Sequence, residues 1–325
     1  MIRNTAVYKQ NNIYDSQMPK NIIDTFIKTQ NFFCLVYNSE ISTNKFYMDF
    51  TKEVIKGNRF EFGKNWEQFL LLLNEERIKL AEESLLRLLD LESLEGKTFL
   101  DIGSGSGLFS LAAKRLGAVV HSFDFDPQSL SCTAELKRRY YPSDSEWHVE
   151  SGDILNIDYL ENLGKFDIVY SWGVLHHTND MWNALHNASE RVIDGGTLFI
   201  SIYNDQGMQS KRWLRIKKIY NAFPIGLRWI IWIPMLIKLW WRNSIRDLLV
   251  DGKLFSTWRN YAHVEARGMS AFRDVIDWVG GLPFEVAKPE EIFDFYAERN
   301  FELKKLKTCG GGLGCNEFVF KKPSK

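Results

Sequence analysis

Residues 99–127 read FLDIGSGSGLFSLAAKRLGAVVHSFDFDP. A short apolar run, Phe99 to Ile102, ends in glycines at every second position: Gly103, Gly105 and Gly107. A helical pattern follows from Leu108 to Leu116, and Gly117 is placed to end it. Ala118 to Phe123 is apolar again. Strand, tight turn, helix, strand is the opening of a doubly wound α/β sheet. Ligands of such sheets sit beyond the carboxyl ends of the strands, where glycines let the backbone bend sharply and approach closely. The loop N–H groups, at a helix N-terminus, suit a negative group. Asp124 ends the second strand, where a carboxylate can accept both hydroxyls of a ribose.

The alternation continues outward. Asp126-Pro127 starts a helix with Asp as N-cap and Pro in the first turn. Trp147 to Glu150 reads as a third strand and Phe166 to Tyr170 as a fourth. Asn179 is expected to open a helix with Trp182, Leu185 and Ala188 on one face. Asp194-Gly195-Gly196 turns the chain into a fifth strand, Thr197 to Tyr203. Upstream, Asn74 caps a helix that carries Glu75 and Glu76 at its positive end and Ile78, Ala81, Leu85, Leu88 and Leu89 at helical spacing. The pattern lapses near Asn204 and returns near Glu285. Pro289-Glu290-Glu291 begins a last helix, and FELKKLKT and EFVFKK, joined by CGGGLGCN, form an antiparallel hairpin. The expected fold is therefore Rossmann-like α/β: a mostly parallel seven-stranded sheet with a terminal antiparallel hairpin and helices on both faces. Three parts are expected: an N-terminal extension (1–74), a core (75–204 plus 285–325) and an insertion (205–284). Residues 1–60 show no pattern that fixes their elements.

Composition narrows the class. Lys+Arg and Asp+Glu are equal at 41 each in 325 residues, so no global field draws the chain to nucleic acid. The four cysteines are scattered without C-x-x-C spacing, which argues against a disulfide framework or a zinc knuckle and for a reducing, cytoplasmic setting. The N-terminus lacks the apolar stretch of a signal peptide.

A glycine loop with a ribose-binding acid admits two ligand classes, dinucleotides and S-adenosylmethionine. The dinucleotide fingerprint G-x-G-x-x-G fails at Leu108, and a terminal hairpin is foreign to it. FLDIGSGSG, the acid in HSFDFDP, the acid in VESGDIL and FDIVYSWGVLHH occur in order, each at a strand end. Together they resemble the successive motifs of class I S-adenosylmethionine-dependent methyltransferases, most closely the small-molecule O-methyltransferases of ubiquinone-biosynthesis type; bacterial glycan-cluster methyltransferases are also similar. The resemblance covers residues 98–204 and 285–321. It implies that Gly103, Ser104, Gly105 and Gly107 wrap the methionyl part of the cofactor. Asp101 would orient the loop or meet the ammonium group through water, and Asp124 would hold the ribose. Asp153 would reach the adenine amino group, although it can equally cap a helix. Ile154 and Trp172 would pack on the cofactor, or simply in the core. Arg77 would approach the methionine carboxylate, with a solvated helix face as its plain alternative. No metal is expected.

Methyl transfer to an oxygen needs alignment and removal of a proton, and histidine suits the second task. His176 and His177 follow the fourth strand; the second matches a recurrent His of the ubiquinone-type relatives. His177 is the expected base or acceptor-orienting group with His176 behind it, against the alternative that the pair only braces its loop. Tyr203-Asn204-Asp205 and the hairpin loop converge on the same rim, and Cys309 and Cys315 there read as part of a flexible loop. His263, Asp277, Trp278, Gly280 and Gly281 are candidates for an acceptor lid.

Residues 206–246 hold no Asp or Glu, nine basic residues and five of the chain's eleven tryptophans. The apolar stretch WIIWIPMLI is only nine residues long, whereas a spanning helix needs ~20. Three readings compete: a cap over the acceptor site or a homo-oligomer interface, peripheral contact through 211–246 with the inner face of an anionic membrane, and, least favoured, RNA. The expected activity is S-adenosylmethionine-dependent methylation of a small or lipid-linked acceptor, of quinone-precursor or glycan type. The alternatives are a nicotinamide-dependent oxidoreductase and a non-catalytic cofactor-binding, membrane-associated scaffold.

Overall fold

The five inner strands form because their apolar runs are buried on both faces. In the computed structural model, which describes residues 45–259 and 271–324, seven strands make one sheet in the order β3-β2-β1-β4-β5-β7-β6. They are β1 (Thr98–Ile102), β2 (Val119–Asp124), β3 (Trp147–Ser151), β4 (Phe166–Trp172), β5 (Val192–Tyr203), β6 (Glu302–Lys307) and β7 (Cys315–Lys321). β1 to β5 run parallel, and β7 lies antiparallel between β5 and β6. Period-two alternation splits β1, β2, β4, β5 and β7 between two cores, whereas the edge strands β3 and β6 are partly exposed. Phe99, Val120, Ile168 and Phe199 pack on α3 (Glu75–Leu89), α4 (Leu108–Arg115) and α5 (Pro127–Tyr140). Leu100, Val169, Ile200 and Phe318 pack on α6 (Ile157–Leu163), α7 (Met181–Glu190) and α11 (Pro289–Ala297).

Two short helices, α1 (Lys45–Ile55) and α2 (Gly63–Leu70), precede the core, and the insertion contributes α8 (Met208–Ala222), α9 (Trp229–Asp251) and α10 (Ala271–Gly280). Trp213, Tyr220, Val275 and Val279 make a small core of the insertion's own. Asp49–Lys325 is nevertheless one compact unit. Among the described residues no helix is long and apolar enough to cross a membrane.

Several local expectations hold in detail. Asn74 accepts the N–H of Arg77, and Asp126 accepts that of Gln128 with Pro127 following. Two differ. α7 is capped by Asp180, not Asn179; Asn179 instead takes φ +71, a left-handed turn that brings Asp180 into the capping position. β5 begins at Val192, because its ladder to β4 tolerates a register shift at Phe166/Ile168 and carries Gly195 at φ +75 inside the strand.

Candidate active site

The sheet order reverses between β1 and β4, and the loops leaving those two strands meet. All three loop glycines have positive φ: +73 at Gly103, +57 at Gly105 and +79 at Gly107. A Cβ on Gly103 would lie 2.4 Å from Val174 Cγ1 in the loop after β4; on Gly107 it would lie 2.8 Å from Thr133 Cα. The glycines are therefore demanded twice, by conformation and by space.

Around this junction lies a cavity of about 660 Å³. Gly103, Ser104, Gly105, Asp101, Asp124, Asp153, Ile154, Trp172 and His177 all line it. Gly107 and His176 are not among its walls, and neither is Arg77, whose Nη1 is buried elsewhere without a hydrogen-bond partner. The suggested approach of Arg77 to a methionine carboxylate is thus set aside. Gly107 acts one step back, as the left-handed residue that starts α4.

The loop's N–H groups correct a second expectation. Gly103 and Ser104 donate to the Phe123 carbonyl at 2.9 and 3.2 Å, Gly107 to the Ser104 carbonyl at 2.8 Å, and Gly105 to Asp124 Oδ2 at 2.9 Å. They brace the loop and leave little for an anion. Asp124 Oδ1 also accepts the Asp126 N–H at 2.9 Å, so this carboxylate ties the loop to the start of α5. The carboxyl groups set the charge. Glu53, Asp101, Asp124, Asp126, Asp153, Asp274 and Asp277 line the cavity against two cations, Arg59 and Lys307. Burial pushes Asp101 up to about 7, and burial with the neighbouring Asp126 does the same to Asp124. Burial also raises Asp153, whose Oδ1 accepts the Leu155 N–H at 2.9 Å. Asp153 therefore both caps its turn and faces the cavity. Ser110 Oγ donates to Asp101 Oδ2 at 2.5 Å.

The other end of the cavity is aromatic. His177 Nδ1 bonds the Pro283 carbonyl. A carbonyl only accepts, so Nδ1 carries the proton and Nε2 keeps its lone pair. Burial, with the charges of Lys217 and Arg59, brings the His177 pKa down to about 3, so the ring is neutral. His176 sits behind it, fully buried, its ring 3.9 Å from that of Tyr203 and its Nδ1 accepting the Tyr203 N–H at 3.4 Å. Asp277 and Trp278 of α10 line the cavity, as do Tyr203 and Trp240. Gly280 and Gly281 stand behind, pressed on Phe60 and Phe62. His263 lies outside the described residues. Cys309 and Cys315 line the cavity at the hairpin rim, and among the described residues no cluster of metal-ligating side chains occurs.

Sequence reasoning missed one wall. Arg59, Phe60, Phe62 and Trp66 reach the cavity from the segment before the core. Arg59 Nη1 donates to the His177 carbonyl at 3.1 Å, its guanidinium lies 4.7 Å from the Phe125 ring centre, and Asn65 donates to Asp277. Lys217 was also unremarked. It is fully buried, its Nζ donates to the Trp278 carbonyl, and the rings of Phe284 and Trp278 stand 4.7 and 5.0 Å away. No local signal distinguishes it from the surface lysines beside it.

A ligand suited to this cavity brings positive charge. The pyrophosphate of a nicotinamide dinucleotide would face an excess of carboxyl groups and a loop whose N–H groups are engaged. An adenosyl sulfonium with its ammonium group fits: Asp101 and Asp124 could face the cationic parts, Asp153 the adenine, and the bare loop allows close approach. Residues 73–242, half of the chain, match a family model described as a methyltransferase domain. The chain belongs to the methyltransferase domain family. It is a class I S-adenosylmethionine-dependent methyltransferase, and the oxidoreductase alternative falls away. The chain is 28% identical over 189 residues to the ubiquinone biosynthesis O-methyltransferase of Xanthomonas campestris pv. campestris (strain B100), covering 54% of this chain and 73% of that one. It is 29% identical over 150 residues to the tRNA U34 carboxymethyltransferase of Edwardsiella ictaluri (strain 93-146), covering 43% and 45%. Among solved structures, the magnesium protoporphyrin IX methyltransferase from Synechocystis PCC 6803 with bound SAH aligns with TM-score 0.45 and 14% identity, over 77% of this chain and 88% of that one.

Proposed function

We propose that this methyltransferase acts on an oxygen of a small or lipid-linked acceptor that enters between the loop after β4 and α10. The likeness to ubiquinone O-methyltransferases supports oxygen as the acceptor atom. The observation that carries the cofactor assignment is the cavity's charge, seven carboxyl groups against two cations beside a braced glycine loop. When bound, S-adenosylmethionine supplies a methyl group already activated by the sulfonium charge.

The residues then have these tasks. Gly103, Ser104 and Gly105 shape the wall for the methionyl part, with Gly107 holding the turn. Asp124 and Asp101 compensate positive charge, Asp124 also meeting the ribose. Asp153 addresses the adenine, with Ile154 and Trp172 as its apolar walls. His177 orients the acceptor by accepting a hydrogen bond from its hydroxyl at Nε2, while Nδ1–H stays anchored on Pro283 and the hydroxyl's proton leaves to solvent as the oxygen takes the methyl group. His176 is a positioning residue, fixing Tyr203 and the loop. Alignment of the two reactants supplies the larger share, ~7–11 kcal/mol in well-oriented systems.

Transfer of labelled methyl from S-adenosylmethionine into phenolic and glycan acceptors, separately presented, tests the reading. O-Methylated product from wild type and its loss in His177→Ala supports it. Product methylated at nitrogen or carbon overturns the oxygen assignment.

A further inference from the structure

α9 buries one side and leaves the other bare. Ile231, Trp232, Met235, Leu236 and Leu239 pack on the insertion's core. On the outer side Ile230, Ile233, Ile237, Trp241, Ile245 and Leu248 recur at steps of three and four, the spacing of one helix face, and all are exposed, Ile237 at 61% and Trp241 at 52%. Lys238, Arg242 and Arg246 recur every fourth residue beside that stripe, and all three are exposed. The first acid to interrupt the basic run, Asp247, is turned inward: it is 3% exposed and accepts both the N–H and the hydroxyl of Thr257. Asp251 closes the helix and Lys253 follows it. An apolar stripe edged by cations, with its one mid-helix carboxylate withdrawn, matches a surface that is apolar below and anionic above.

From this charge pattern we infer that α9 lies in the headgroup layer of an anionic lipid bilayer, with Trp241 and the isoleucines entering the acyl boundary. A second copy of this chain is the poorer occupant, because pairing the same face would set Lys238, Arg242 and Arg246 against their own kind. The helix also connects this face to the active site. Ile237, Trp240, Trp241 and Ile245 form an apolar hollow of about 690 Å³ with Phe255 and Trp258, and Trp240 lines the catalytic cavity as well. An acceptor with a long apolar chain can therefore lay the chain in the hollow and turn its head past Trp240 to His177. This last step rests on the proposed acceptor reading; the bilayer contact does not.

The test is cosedimentation of the full chain with vesicles of phosphatidylcholine alone or with phosphatidylglycerol at three parts in ten, at low and high salt, with cofactor affinity measured in parallel. Wild type is expected to pellet with the anionic vesicles at low salt and to be released as screening shortens the field's reach. Each surface cation contributes about fivefold in partitioning, so Lys238→Gln/Arg242→Gln should lose about thirtyfold. Ile237→Ser/Trp241→Ser should fail to pellet with the anionic vesicles even at low salt. Absence of wild-type binding to anionic vesicles at low salt overturns the inference. So does a dimer in light scattering that Ile237→Ser/Trp241→Ser makes monomeric. Unchanged cofactor affinity in either case shows that the site reading survives the failure.

Discussion

Replacing Gly103 by alanine should damage the protein in two separable ways. A φ of +73 costs an L-residue roughly 1–2 kcal/mol. The added Cβ would also stand 2.4 and 2.6 Å from the two γ carbons of Val174, so one loop must retreat. Overpacking of that kind costs about 1–3 kcal/mol. The total, about 2–5 kcal/mol, is a large share of a typical domain's stability. Val174→Ala removes both γ carbons, leaving only the Cβ at 3.0 Å. In the double variant the overpacking part should be recovered and the conformational part should remain. Urea denaturation of the four proteins measures this as a coupling of about 1–3 kcal/mol between the sites. Additivity within about 0.5 kcal/mol would refute the claim that the loops after β1 and β4 are in contact.

Four further outcomes follow from the titratable groups. Asp101 and Asp124, raised from 3.8 to about 7 by burial, hold protons that the unfolded chain has released. Their contribution to stability is full below about pH 4 and is lost as pH rises to about 7, and Asp124→Asn should flatten that slope in denaturation curves taken between pH 5 and 8. A cationic ligand reverses the shift, so S-adenosylmethionine binding near pH 7 should release protons, visible as a buffer-dependent heat in calorimetry; proton uptake would contradict the assignment. His177→Ala should lower turnover roughly 10²-fold through lost alignment of the acceptor with cofactor affinity nearly unchanged, whereas His176→Ala, acting through Tyr203, should be milder and raise KM; equal turnover in both variants and wild type would remove the pair from the reaction. Burial pulls Lys217 from 10.5 down to about 7, so its contribution is least below pH 7 and grows as pH rises toward 10. Lys217→Met should abolish that rise, and a persistent rise would assign it to another group.

The strands, the helix caps at Asn74 and Asp126 and the glycine turn were legible because each is written in neighbouring residues. Asn179 and Asp180 are adjacent capping types, and only the left-handed turn at Asn179 decides between them. The loop's N–H groups were misjudged because their main partner, the Phe123 carbonyl, comes from another strand. Arg59, Phe62, Trp66 and Lys217 carry no periodic or motif signal; the fold brings Trp66 to Gly105 and the others to His177, from 118 residues before it in the case of Arg59 and from the insertion in the case of Lys217. Arg77 shows the converse, a charge at a plausible helical position that does not line the cavity.

The central claim is that the acid-lined cleft beside residues 101–107 holds the methyl donor. A crystal structure with the demethylated product, S-adenosylhomocysteine, tests it most directly. The ribose hydroxyls are predicted within hydrogen-bonding distance of Asp124 and the adenine beside Asp153. Nucleoside density elsewhere on the chain, with this cleft empty, would contradict the account.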